Sequence, residues 1–88
     1  MYQSKCYNYE WCVEWLKRNL KAPEKTDYNT SASHIAKNFS RLHFEVTETD
    51  VVEALKSLGF EHQHSENGFI FSIDRSSPAF LEFQKTYN

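Results

Sequence analysis

Glycine, proline and cysteine are each present only twice in this 88-residue chain, and each scarcity removes a class of function. The two glycines, Gly59 and Gly68, are far apart, so the closely spaced glycines of a phosphate-cradling loop are missing. Cys6 and Cys12 have five residues between them, which fits neither a Cys-x-x-Cys pair nor a disulfide framework, and both are read as reduced thiols. There is no apolar run long enough to cross a bilayer and no charged-then-apolar leader with a small-residue cleavage site. The expectation is a soluble, cytoplasmic protein with no membrane partner. An excess of positive charge is also missing. With a net charge of −2 and a pI near 6.0, any nucleic-acid binding must rest on a local patch.

What the chain has in abundance is aromatic residues, at 16%. Few large side chains are needed to fill so small an interior, and those left over would mark an interface with a partner or a second copy, so a homodimer is among the expectations. Charge is unevenly distributed. Residues 1–44 hold seven Lys/Arg and four Asp/Glu, whereas residues 45–88 hold three and eight, which predicts an electrically two-sided molecule.

Asn8 is placed to cap a first helix from Tyr9 to Lys21, with Trp11, Cys12, Trp15, Leu16 and Leu20 on one apolar stripe. Lys17, Arg18 and Lys21 crowd its C-terminal end, where the helix dipole favours cations, and Glu14 precedes Arg18 by one turn. Pro23 stops this helix, and residues 21–30 read as a polar connector. Thr30 or Ser31 caps a second helix to Leu42 whose core face is Ile35, Ala36, Phe39 and Leu42. His34, Lys37 and Arg41 lie opposite, in one exposed stripe. After a turn at residues 43–46, Thr47 with Asp50 resembles a capping box opening a third helix; Val51, Val52, Leu55 and Leu58 line its buried face, and Gly59 is placed for a left-handed exit. Phe60–His64 and Phe69–Ile73 are β-prone runs about an Asn67-Gly68 turn. Ser77-Pro78 has the form of a cap and first helical residue, predicting a short last helix from Ala79 to Lys85 with Phe80, Phe83 and Tyr87 on related faces. The predicted core is Ile35, Phe39, Val52, Leu55, Leu58, Phe69 and Phe71.

Three helices followed by a hairpin resemble a winged-helix domain, with residues 9–73 covering its helices and wing and residues 74–88 forming a C-terminal extension of one α+β domain spanning 1–88. The chain is also similar to small uncharacterised proteins of phages and other bacterial mobile elements, through Thr30-Ser31, Ala54-Leu55, Leu58-Gly59-Phe60 and the aromatic strand Phe69–Phe71. The winged-helix resemblance implies a third helix that reads the major groove through Thr49, Glu53, Lys56 and Ser57, and a wing tip at His64–Asn67. Those positions suit phosphate poorly, because Glu48, Asp50 and Glu53 face a single Lys56 and the wing offers Glu66 in place of Arg or Lys.

Two functions follow. In the first, nucleic acid lies on the second helix, on His34, Lys37 and Arg41, extended by Lys17, Arg18 and Lys21; neutralising only about four to six phosphates makes such binding weak and salt-sensitive. In the second, Glu48, Glu53, Lys56 and Glu66 dock a basic, nucleic-acid-processing protein. Catalysis, cofactor and metal are not expected. No serine or cysteine has the surroundings of a nucleophile, and His62-x-His64 lacks a second spaced pair of ligands.

Overall fold

A computed structural model describes residues 4–84, with side chains from Tyr9 onward. The described residues form four helices and a three-stranded antiparallel sheet, in the order α1 (Ser4–Asn19), β1 (Tyr28–Ser31), α2 (Ala32–Leu42), α3 (Glu48–Ser57), β2 (His62–Ser65), β3 (Gly68–Ser72) and α4 (Pro78–Gln84). The class is α+β. The sheet order is β1-β3-β2, so the strand expected to be a hairpin edge, β3, is in fact central.

Several expected boundaries move. The first helix begins at Ser4 and ends at Asn19, so Asn8 lies inside it and is not its cap; the helix continues back through residues whose periodicity is too weak to mark a start. Tyr28–Ser31, read as the end of the connector and the cap position after it, is a strand. Four residues are too few to show alternation, and the pairing that stabilises them lies some forty residues away on β3, where Thr30 faces Phe71 and Ser31 faces Ile70. The register slips between Tyr28 and Thr30, leaving Asn29 as the extra residue of a bulge; its amide donates to the Ile73 carbonyl at 3.0 Å. The hairpin strands lie at His62–Ser65 and Gly68–Ser72, with Ser65 opposite Gly68, a shift set by the tight turn they share.

The helix-start chemistry is clearest in α2 and α3. Ser31 Oγ accepts from His34 N at 3.1 Å. Thr47 and Asp50 form a reciprocal box, Asp50 N to Thr47 Oγ1 at 3.0 Å and Thr47 N to Asp50 Oδ2 at 3.1 Å. At the other end of α3, Gly59 has φ +90°, the Gly59 N–H reaches Lys56 O and the Phe60 N–H reaches Leu55 O, which together make the two-bond left-handed helix exit.

Cys12, Leu16, Ile35, Phe39, Leu55 and Phe71 are fully buried at the centre, with Leu58 and Phe69 packed against them at the margin. Trp11, expected on the apolar stripe, remains 43% exposed, although its ring lies 5.3 to 5.9 Å from those of Phe44 and Phe39. Burial, reinforced by Asp50, pushes the Cys12 thiol up to about 12; Cys6 lies outside the described side chains. Residues expected to trail the fold close it instead, because Ala79, Phe80 and Phe83 of α4 are buried in the same core. Ser77 does not cap α4 through its side chain. Its hydroxyl accepts from Lys21 N at 2.9 Å and donates to Asp74 O at 2.6 Å, tying the residues after α1 to the turn before α4. Lys85 and Tyr87 lie outside the described residues.

Candidate nucleic-acid interface

Helical spacing puts His34, Lys37 and Arg41 on the outer side of α2 while Ala32, Ile35, Ala36 and Phe39 are buried. The three residues differ in what they are free to do. Lys37 is exposed. Arg41 is already engaged, its Nη2 donating to Asn38 Oδ1 at 2.9 Å and to the Phe83 carbonyl at 2.7 Å, so it fastens α4 to α2 as well as contributing charge. The His34 ring lies edge-on to Phe83 with 6.0 Å between centroids, and its Nδ1 is 3.4 Å from Asn38 Nδ2. That contact suits the tautomer in which Nδ1 accepts and Nε2 carries the proton.

Burial lowers the His34 pKa first, and Arg75 and Lys37 lower it further. No carboxylate offsets them. Arg75 is therefore the site residue that sequence reasoning missed. It lies three residues after β3, in a turn read only for its helix-capping serine, and the β1–β3 pairing that carries it to α2 leaves no local trace. Its guanidinium lies over the Phe80 ring, 4.3 Å from the centroid, and Nη1 is 3.4 Å from Thr30 Oγ1. Neutral neighbours thus orient the charge without cancelling it.

Lys17 and Arg18 of α1, and Lys21 beyond its end at Asn19, do not join this cluster in any contact among the described residues. Arg18 Nε is 3.8 Å from Glu14 Oε1, the one-turn ion pair expected from their spacing. Lys21 binds the turn before α4 through its backbone, with Asp74 N donating to its carbonyl at 2.8 Å, and its ammonium helps hold down the Asp74 pKa, which two hydrogen bonds from Ser76 lower more strongly. Lys17 is exposed on α1.

The acidic residues of the alternative site fall on α3 and the β2–β3 turn. Glu48 lies against the wing, its Oε2 2.9 Å from where a Cβ on Gly68 would stand. Glu53 faces the other way, toward Tyr9, whose pKa it helps burial to raise. Lys56 is 5.1 Å over the Phe69 ring, where a cation on an aromatic face is well placed, and Ser57 Oγ donates to Ala54 O at 2.8 Å. Glu66 is exposed at the turn. His62 and His64 share a sheet face with Phe69 and Phe71, and His64 stacks on Phe69 at 4.3 Å and 9°.

Family models, curated proteins and solved structures were compared with the chain, and none matches.

Proposed function

We propose that this chain is a non-catalytic module of winged-helix type that associates with nucleic acid through the outer face of α2. The element order helix, strand, two helices and a hairpin, with the first strand added to the hairpin sheet, is the arrangement that supports the winged-helix reading. The observation that carries the functional reading is the exposure of His34 and Lys37 on the outer face of α2, with Arg75 from the turn after β3 lining the same groove as His34. Phosphate neutralisation needs such a local excess, and a molecule with net charge −2 has little of it to spend elsewhere. The ligand then lies on α2, because the carboxylates of α3 repel a phosphate-walled groove.

A second reading is favoured by one observation, the exposure of Glu48, Glu53 and Glu66 on α3 and the adjoining turn: this face would steer a basic, nucleic-acid-processing protein. Fluorescence anisotropy with labelled oligonucleotides at low and moderate salt separates the two. In the proposal, Lys37→Glu abolishes binding with the fold intact, and Glu53→Lys leaves it unchanged or stronger. Undetectable binding of the wild-type protein to every oligonucleotide at low salt would refute the proposal, and loss of a co-purifying basic protein on Glu53→Lys would establish the second reading.

A further inference from the structure

Beside the first turn of α2, β1 and the turn after β3 enclose an open groove whose lining includes Tyr28, Asn29, Ser31, His34, Ile70 and Arg75. Its volume is ≈ 390 Å³, near the lower end of the roughly 300–1,000 Å³ usual for small-molecule sites. That is room for one compact unit and no more.

The lining offers two different kinds of chemistry. Arg75 brings a guanidinium held by Phe80 and Thr30, and His34 brings a ring nitrogen left to donate by the contact of Nδ1 with Asn38. Both suit an oxyanion. No carboxylate is among the lining residues. Asp74, next to Arg75 in sequence, has Oδ1 taken by Ser76 N at 2.9 Å and Ser76 Oγ at 2.8 Å. Tyr28 and Ile70 bring apolar surface to the same lining. Tyr28 is one of three large hydrophobic residues that remain exposed among the described side chains, at 38%, and it stands at the β1 bulge, a device that re-aims a side chain at a sheet edge. Ile70, opposite Ser31 on the neighbouring strand, is partly buried beside it.

An anion site joined to an aromatic surface fits a phosphate with a base attached. Bases in a duplex have their faces covered by their neighbours, so a base that stacks on a side chain must come from an unpaired strand. We propose that this groove is a single-nucleotide subsite for single-stranded nucleic acid, in which Arg75 and His34 hold a backbone phosphate and Tyr28 stacks one unpaired base. The assignment rests on the nucleic-acid reading of α2 and narrows it to single strands.

The test uses the full chain with a short fluorescein-labelled oligothymidylate and a mixed-sequence duplex of the same length, both at low salt. The single strand is expected to bind about tenfold tighter than the duplex. Tyr28→Ala weakens the single strand about fivefold or more and leaves the duplex unaffected, Tyr28→Phe restores it, and Arg75→Gln weakens the single strand about tenfold. Arg75 packs on Phe80, so thermal unfolding checks that its variant is folded; if it is not, the exposed Tyr28 pair decides alone. Single-strand binding that survives Tyr28→Ala but is lost in Lys37→Glu overturns the subsite and leaves the α2 reading standing. Equal affinity for duplex and single strand overturns it too, and a wild-type protein that binds neither probe removes both.

Discussion

Gly59 and Gly68 show how one residue type serves two different needs. Both have φ in the left-handed region, +90° and +108°, but nothing stands within 4 Å of a Cβ built on Gly59, whereas one on Gly68 would meet the Glu48 carboxylate. Gly59 is needed for its backbone alone. Gly59→Val is expected to destabilise by about 1–2 kcal/mol, the cost of holding a side chain in the left-handed region, with oligonucleotide affinity unchanged. A wild-type urea midpoint would show that the α3 exit does not depend on this conformation. The sequence made Gly59 legible because a helical stripe ended one residue before it. Arg75 was not legible for the converse reason: what gives it meaning is its place beside His34, reached across the sheet.

At the scale of elements, the parts written in local chemistry were readable and the parts written in long-range pairing were not. Ser31 and Thr47 announce α2 and α3 because a cap and an apolar period lie within one turn of each other, and the Asn67-Gly68 pair announces its hairpin for the same reason. β1 is too short to alternate and is a strand only because β3 accepts it. Ser77 illustrates the difference. Sequence spacing assigned its hydroxyl to the start of α4, but the buried oxygen instead bridges Lys21 N and Asp74 O, reaching from Ser77 to a residue 56 positions away. Ser77→Ala removes both bonds and leaves the Lys21 N–H without this acceptor, so a loss of about 1–3 kcal/mol is expected. Chemical denaturation measures it, and a loss no greater than that of an ordinary exposed serine would mean that the bridge contributes little.

The whole molecule combines an acidic net charge with positive groups on the outer face of α2, which bear on its proposed partner, while two histidines bear on its response to pH. Burial lowers the pKa of His34 and of His43, the latter set among Trp11, Trp15 and Phe39, with Glu82 partly opposing the shift at His43. Each folded value lies below the unfolded 6.5, so the unfolded chain binds the extra protons. The stability this provides is complete above pH 6.5 and is lost as pH falls from 6.5 through the folded values. The urea midpoint should therefore fall between pH 7.5 and 5.5, and fall less in His43→Phe, which keeps an aromatic ring in that cluster; the same drop in both proteins would contradict the assignment. Nucleic acid is expected to meet the α2 face and to leave the α3 face alone. Amide chemical shifts recorded while an unlabelled single-stranded oligonucleotide is added test it most directly. The largest changes are expected at Tyr28, His34, Lys37 and Arg75 and should fade with added salt, whereas changes confined to residues 48–57 and the 65–68 turn would mean that the α3 face is the one that binds.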